Sequence, residues 1–167
     1  WNYTFYVPHD VAGLARLMGG RRRFIDKLQM VFDQGLYDPA NEPDIAYPYL
    51  FSYFQGEEWR TQREVRRLLD RYFTTAPDGI PGNDDPDCPG EPYYTLTSPV
   101  FDKVTVTLDP KYYPAGELVI ETERSGAGDV YIGSMTLGGR PLKKYRISHG
   151  ELVGGGRLVF GLQPERK

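Results

Sequence analysis

The sequence predicts an α+β fold in which a helical segment, residues 1–89, is followed by a mainly antiparallel, sandwich-like β region, residues 90–167. Apolar residues recur at helical spacing along the first segment, which is typical of amphipathic helices. After residue 92 they alternate with polar residues, which is typical of strands. Glycine and proline are frequent between these stretches and indicate the boundary between the two segments.

Four helices are predicted in the first segment. They are expected to pack as two hairpins, 10–18 with 22–34 and 44–54 with 57–74. Asp10 stands where a helix N-cap is expected, and glycine after residue 18 suits the left-handed residue that ends a helix. Pro48 should kink the third helix or start it, because proline has no backbone N–H to donate.

The fourth helix is predicted from its charges and its apolar spacing. Glu57 and Glu58 favour its N-terminus and Arg71 favours its end, because the helix dipole stabilises charges of these signs there. One broad face is expected to be buried, and its members are Trp59, Val65, Leu68, Leu69 and Tyr72.

The second segment contains alternating runs that predict strands near residues 93–97, 103–108, 117–123, 129–137, 143–148 and 157–162. Gly138-Gly139 lies between two of these runs and predicts a hairpin with a turn of one of the primed types, I′ or II′. Residues 151–153 are predicted to form one helical turn. The glycine run 154–156 lies between strands, where a nucleotide-binding loop is not expected.

The composition excludes several classes of protein. The net charge of −3 gives no argument for a nucleic acid or an anionic membrane as partner, and the apolar runs are too short to cross a bilayer. Cys88 is the one cysteine, so neither an internal disulfide nor a cysteine-based zinc site is expected. The chain begins with Trp1, without an initiator methionine or a signal peptide, which indicates a fragment or a processed product.

Three polar clusters are expected at helix ends or in loops, where rigid scaffolds present functional groups. The first is His9-Asp10, the second spans residues 38–44, and the third is the "PGNDD" loop, which ends in Asp84-Asp85. Each also has a purely structural interpretation. Asp10 is then an N-cap, "NEPD" an ordinary helix start, and "PGNDD" a solvated turn.

The chemistry of these clusters permits sugar cleavage without being specific to it. Glycosidases place a carboxylic acid and a carboxylate across a sugar ring. The adjacent acids Asp84 and Asp85 repel each other, so one of them is available as a base or is held by a partner. Asparagine, glutamate and aspartate oxygens also suit a hard cation such as calcium.

The same stretches resemble the C-terminal part of glycoside hydrolase family 92, whose members are calcium-dependent exo-acting α-mannosidases, commonly described as α-1,2-mannosidases. The similarity covers almost the whole chain, and its most specific words, in order, are "VPHD", "NEPDIAYP", "WRTQ" and "PGNDD". It implies that the helical hairpins belong to an (α/α)6 barrel. It also implies an inverting mechanism, in which the two carboxyl groups lie roughly 6.5–9.5 Å apart.

The resemblance assigns roles to residues of this chain. Asp84 and Asp85 are the catalytic candidates for the base that activates water. Asn41 and Glu42 are the candidate calcium ligands. The candidates for substrate binding are His9, Asp10, Glu42 and Trp59. Mannose-containing glycans and an upstream domain of the parent chain are the expected partners, and a secreted or periplasmic location is expected.

Two departures from the family pattern lead us to expect that the isolated chain is inactive. The general acid of the family is a Glu in an "EGxxW" word whose Trp aligns with Trp1, so this Glu would precede the chain. A helix-length segment that normally separates "NDD" from "CPG" is missing after Asp85.

A different class of function remains open for the β region, which could be a non-catalytic carbohydrate-binding or scaffold module. Its tyrosines could form a sugar platform, although tyrosines of this kind are more often half-buried in a sheet. The tyrosines concerned are Tyr93, Tyr94, Tyr112, Tyr113, Tyr131 and Tyr145. A third interpretation, a protein-interaction fragment, has no positive feature in the sequence.

Overall fold

A computed structural model describes residues 1–76 and 93–166, and the chain divides into two units, Trp1–Asp87 and Cys88–Lys167. Helices build the described part of the first unit. They are α1 (Val11–Leu17), α2 (Arg21–Asp33), α3 (Glu42–Ile45), a 3₁₀ helix (Tyr47–Tyr53) and α4 (Glu58–Tyr72). Helix α1 packs on α2, and α4 packs on the 3₁₀ helix, as the two predicted hairpins require.

The third predicted helix, 44–54, is wrong as a single α-helix, because the chain changes there from α3 to the 3₁₀ helix. Pro48 cannot donate a hydrogen bond to the carbonyl four residues earlier, so the α-helical ladder stops. The chain then continues with hydrogen bonds between residues three apart in sequence, such as that from the Tyr49 N–H to the Ala46 carbonyl at 3.0 Å. A 3₁₀ helix is a common way to continue past such a break.

The predicted buried face of α4 is also wrong in most of its members. Val65 is buried, whereas the other four residues of that face are only half-buried. The remaining buried residues of α4 are polar: Thr61, Gln62 and Glu64. The helix is therefore rotated relative to the apolar stripe, because a polar network occupies its inner side.

Aromatic and aliphatic side chains form the core of the first unit. Phe5 packs edge-on against Phe24 and Tyr47, with ring centroids 5.2 and 5.3 Å apart. Leu28 and Phe51 complete the centre and are fully buried. This core joins the segment before α1 to α2 and the 3₁₀ helix, and it fixes the loops between them.

Strands build the second unit, and its sheets are mainly antiparallel, as predicted. The strands are β1 (Tyr93–Thr95), β2 (Lys103–Thr107), β3 (Glu117–Glu123), β4 (Tyr131–Leu137), β5 (Arg140–Pro141), β6 (Arg146–Ser148) and β7 (Gly156–Gln163), and helix α5 (His149–Val153) follows β6. A five-stranded sheet has the order β2-β3-β7-β4-β5, and β1 pairs with β6 in a separate ribbon. Among the described strands, β3 and β7 form the parallel pair.

The ribbon and the larger sheet share one hydrophobic core. Leu96 and Ile147, beside and within the ribbon, pack with Met135, Leu158 and Phe160 of the sheet. This arrangement is the sandwich-like packing that the sequence predicts. The hairpin at Gly138-Gly139 is confirmed, with φ angles of 56° and 77° that suit a type I′ turn.

Helix α5 contains the predicted helical turn. Its first turn is stabilised by a capping box, in which Ser148 and Glu151 each bond to the other's backbone N–H. Within residues 1–76 and 93–166, no helix combines the length and the hydropathy that a membrane crossing needs.

Candidate functional site

The loop that leads into α3 is organised around Asp44, which has no exposed surface. Its carboxylate accepts a hydrogen bond from the Asp38 backbone N–H at 3.0 Å and another from Asn41 Nδ2 at 3.4 Å. Asn41 occupies the N-cap position of α3, yet its side chain makes no capping bond to the helix. Asp44 therefore holds both ends of the loop and directs the Asn41 amide.

Burial raises the pKa of the Asp44 carboxyl above its ordinary value of 3.8, and the hydrogen bonds from Asp38 and Asn41 oppose this shift. The Tyr47 hydroxyl lies in the same region. It donates to the Trp1 carbonyl at 2.9 Å and accepts from the Phe5 N–H at 3.1 Å. Burial also raises the pKa of Tyr47. Its two hydroxyl bonds connect the 3₁₀ helix to the N-terminal segment.

Asn41 and Glu42, the predicted calcium ligands, are adjacent at the start of α3 and offer oxygen atoms of the kind that calcium prefers. Since Asn41 Nδ2 is bonded to Asp44, the amide oxygen Oδ1 is directed away from that carboxylate. Calcium takes about six to eight oxygen ligands. In the part of the chain that the structure describes, no group of three or more His, Cys, Asp or Glu is arranged to hold a metal. Asn41 and Glu42 thus fit a calcium site in chemistry, but only as part of its ligand set.

His9 and Asp10 lie at the start of α1 and line a surface cavity of about 490 Å³ together with Val7, Leu14, Arg16 and Leu17. Asp10 caps the helix, because its Oδ1 accepts from the Gly13 N–H at 2.7 Å. A Cβ atom on residue 13 would lie 2.0 Å from Asp10 Oδ2, so glycine makes this cap possible. The N-cap interpretation of Asp10 is confirmed, and the role of both residues in substrate binding stays a prediction.

Trp59, the remaining candidate for sugar binding, lies in the first turn of α4 and is half-buried. The guanidinium groups of Arg60 and Arg63 lie 4.6 and 4.8 Å from its ring centroid. Both distances suit cation–π contacts. These contacts fix the orientation of the indole ring, and the role of Trp59 in substrate binding stays a prediction.

Sequence analysis missed the polar network between α2 and α4. Glu64 accepts from Gln29 Nε2 at 3.0 Å, from Arg63 Nε at 2.8 Å and from Arg67 Nη1 at 3.4 Å. Only 3% of the Glu64 side chain is exposed. The signal that could have identified it is the helical spacing, which places Glu64 beside Val65 and Thr61 on one face of α4.

The predicted catalytic residues, Asp84 and Asp85, lie outside the described residues, and their roles stay predictions. The structure brings Asn41 and Glu42 together at the start of α3, and His9 and Asp10 at the start of α1. The four residues His9, Asp10, Asn41 and Glu42 belong to the first unit.

The six tyrosines of the β region differ in their burial and in the groups that they contact. Tyr93 is half-buried beneath the Arg146 guanidinium, whose central carbon lies 5.6 Å from the ring centroid. Tyr131 and Tyr145 are half-buried in or beside the sheet. The other three form ring contacts with one another or with His149, namely Tyr94, Tyr112 and Tyr113.

Comparison with known proteins relates the whole chain to one family. The family model of the glycosyl hydrolase family 92 catalytic domain matches residues 1–164. A protein of Arthroderma benhamiae, named an uncharacterized secreted glycosidase, is 27% identical over 180 residues, and the match covers 99% of this chain and 23% of that protein.

Solved structures agree with this relationship. A family 92 inverting mannosidase from Bacteroides thetaiotaomicron superposes with a TM-score of 0.82 at 26% identity, covering 99% of this chain and 27% of that protein. A family 92 α-mannosidase from the same organism, solved with mannoimidazole, superposes with a TM-score of 0.86 at 23% identity, covering 99% of this chain and 25% of that protein. The chain therefore spans about a quarter of the length of these relatives.

Proposed function

Because this chain belongs to glycoside hydrolase family 92, we propose that it is part of an α-mannosidase that removes terminal α-linked mannose from glycans. The observation that carries the proposal is the match of the catalytic-domain family model to residues 1–164. The likeness in fold to an inverting mannosidase, at a TM-score of 0.82, supports the same reaction class. The proposed linkage is α-1,2.

The proposed mechanism inverts the anomeric centre in one displacement. A general acid protonates the leaving oxygen while a carboxylate base takes a proton from water on the opposite face of the sugar. We assign the base to Asp84 or Asp85. The general acid is proposed to be a Glu in the part of the complete protein that precedes Trp1.

Asn41 and Glu42 are proposed to contribute oxygen ligands to a calcium ion. When bound, calcium would supply a cation that holds the hydroxyls of the terminal mannose and favours its distortion. The described network supports this role, because Asp44 binds the Asn41 Nδ2 and directs its Oδ1 elsewhere. His9, Asp10 and Trp59 are proposed to contact the sugar.

We also propose that the complete protein acts outside the cytoplasm, where glycans of this kind are encountered. The relative from Arthroderma benhamiae is named a secreted glycosidase, which supports this location.

The reaction is tested with the complete protein and α-1,2-linked mannobiose, with the anomer of the released mannose followed by proton NMR. We expect β-mannose as the first product. Asp84→Asn and Asp85→Asn separate the two candidates, and the variant that lacks the base should lose at least about a hundredfold in rate. An Asp70→Asn variant is the control, since Asp70 is exposed on α4. Failure of the unsubstituted protein to release mannose would overturn the proposed function.

The calcium site is tested by binding rather than by activity. Added calcium should raise the thermal unfolding midpoint of the complete protein, because a ligand that binds the folded state stabilises it. Glu42→Gln and Asn41→Ala should each reduce this increase, whereas Asp26→Asn on the exposed side of α2 should not. If calcium raised the unfolding midpoint equally in the unsubstituted protein and all three variants, Asn41 and Glu42 would not be calcium ligands.

A further inference from the structure

The structure assigns a second carbohydrate contact to this chain: we propose that Tyr94, Tyr112, Tyr113 and His149 form a binding site for a neutral pyranose on the second unit. These four residues are called the aromatic row below. None of them is among the residues proposed for mannose cleavage, so this inference does not depend on the mannosidase reaction.

Four rings follow one another across the surface in the order Tyr94, His149, Tyr113, Tyr112. Successive centroids lie 6.0, 6.0 and 6.5 Å apart. Tyr112 is 65% exposed and Tyr94 is 44% exposed, so the two ends of the row are open to solvent. Tyr113 and His149, between the two ends, are half-buried. A single exposed tyrosine is ordinary, but a continuous patch of rings at the surface is typical of an interaction site.

The rings are held in place before any ligand arrives. The Tyr94 hydroxyl and His149 Nδ1 share a hydrogen bond of 2.9 Å. The backbone N–H groups of Tyr112 and Tyr113 both donate to the Asp109 carbonyl, at 3.0 and 2.8 Å, and form a tight turn. The Asp109 side chain closes this turn by accepting from the Lys111 N–H at 2.8 Å. A preorganised site loses less entropy on binding than a mobile one.

A close backbone approach positions this turn beside α5. Gly155, just after α5, has φ of 78° and lies so near residue 115 that an added Cβ would be 2.4 Å from the Ala115 Cβ. Tyr112 and Tyr113 lie on the segment that ends at Ala115, and His149 is the first residue of α5. The packing of the chain therefore brings three separate segments into the aromatic row.

The chemistry of the row fits a neutral sugar better than other ligands. Its rings offer apolar faces with a negative quadrupole, to which the C–H groups of a pyranose can stack. Its hydroxyls and imidazole can exchange hydrogen bonds with sugar hydroxyls. Charged residues of both signs neighbour the row in sequence, among them Lys111, whose Nζ lies 5.0 Å from the Tyr112 centroid, and the acids Asp109 and Glu151, so the row is not a purely cationic site of the kind that an anion would favour.

Proton NMR of the 167-residue chain tests the proposal directly, because the sequence has two histidines, His9 and His149, whose ring signals are easily assigned. The chain is titrated with α-1,2-mannobiose, maltose and cellobiose, with EDTA present. We expect at least one sugar to shift the His149 signals in a saturable way while the His9 signals stay unchanged. The titration is repeated with calcium in place of EDTA. A shift that appears only in this repeat and moves the His9 signals would overturn the proposal and report the proposed mannosidase site instead.

Two substitutions and a matched control complete the test. Tyr112→Ala removes an exposed end of the row and should weaken binding about tenfold, which corresponds to 1.4 kcal/mol. Tyr94→Phe keeps the ring and removes only the bond to His149, so it remains informative if Tyr112→Ala fails to fold. Tyr3→Ala removes a tyrosine that is 73% exposed on the first unit and should change nothing. The proposal is overturned if none of the sugars shifts His149, or if Tyr3→Ala weakens binding as much as the row variants.

Discussion

In the proposed calcium loop, Asp44 is an acidic residue that is completely buried. Its side chain has no exposed surface, yet an ionised carboxylate is stable only with strong partners. The structure supplies two donors, the Asp38 N–H and the Asn41 amide, and burial still raises the pKa. The folded state therefore binds a proton more tightly than the unfolded state does.

The sign of the resulting pH dependence follows from linkage. A carboxyl whose pKa is raised by folding contributes stability at low pH, and that contribution is lost as the pH rises through the folded-state pKa. We expect Asp44→Asn to remove this loss. The unfolding free energy of the variant, relative to that of the unsubstituted chain, should therefore increase as the pH rises above 3.8. Urea denaturation at several pH values measures it, and a pH-independent difference would contradict the assignment.

Asp10 allows its structural and functional roles to be separated by two substitutions. Asp10→Ala removes the oxygen that accepts from the Gly13 N–H and should cost about 1 kcal/mol of stability. Asp10→Asn keeps an oxygen acceptor and should cost much less. If the complete protein with Asp10→Asn is stable but binds mannosides poorly, the carboxylate also contacts substrate; equal losses of stability in both variants would contradict the cap.

For single residues, the sequence predicts those features that depend only on residues close by in the chain. The cap at Asp10 involves only the next three residues, so local spacing was sufficient. The burial of Asp44 depends on Tyr47, on the Asp38 backbone and on the aromatic core behind them, and a helix-start pattern such as "NEPD" contains none of that information.

Among the elements, α4 shows how a buried polar face can stabilise a helix pair. The Glu64 carboxylate bonds to Gln29 of α2 and to two arginines of its own helix. Arg60 extends the network, because its Nη1 donates to Gln29 Oε1 at 2.8 Å. Satisfied networks of this kind specify one arrangement of the helices.

Removal of Glu64 should therefore destabilise the first unit. Glu64→Ala removes a charged, buried acceptor, and Gln29 Nε2 then keeps only its bond to Asp33 Oδ1 at 3.0 Å. The expected cost is about 1–3 kcal/mol. The arginines are partly exposed and can be hydrated, so the cost stays below that of stranding a fully buried charge. Asp70→Ala, at an exposed position of α4, is the matched control and should change stability by less than about 0.5 kcal/mol. Chemical denaturation compares the two, and similar effects would contradict the importance of the network.

Two glycines of the second unit, Gly139 and Gly155, have nearly the same φ. Comparing alanine substitutions at the two sites therefore separates backbone strain from steric contact. Gly155 has φ of 78° and Gly139 has φ of 77°, but only Gly155 lies against other atoms. Alanine should be strained at both sites, and at residue 155 it must also displace Ala115. We expect Gly155→Ala to cost about 1–3 kcal/mol more than Gly139→Ala. Thermal denaturation measures this difference, and equal losses would show that the contact is unimportant.

The elements were predicted well where their signals are local and poorly where partners are distant. The hairpin at Gly138-Gly139 and the turn of α5 follow from adjacent residues. The rotation of α4 could not be predicted, because it depends on Gln29 in another helix. The parallel pairing of β3 with β7 was not anticipated either, since nothing in either strand identifies its neighbour.

For the whole molecule, the extent of the match to the family limits what this chain can do alone. It spans about a quarter of the length of its relatives, so most of their length has no counterpart here. We predict that the 167-residue chain releases no mannose from α-1,2-mannobiose with calcium present. Release above a blank without protein would contradict the prediction, and the complete protein is the positive control.

The family was predictable from sequence, because four short words in a fixed order are a specific pattern. The site was predictable only as a set of residues. Asn41 and Glu42 come together because they are neighbours in sequence, but the roles of Asp84 and Asp85 require knowledge of atoms that lie far away in the chain.

The position of β7 has a consequence for biosynthesis. This strand, Gly156–Gln163, lies at the centre of the five-stranded sheet, between β3 and β4. While residues after 155 are still inside the ribosome, the strands of this sheet can form only two separate pairs, β2–β3 and β4–β5. The edges of β3 and β4 that later pair with β7 stay unpaired until β7 has emerged. During that time these edges can bind chaperones or pair with other nascent chains.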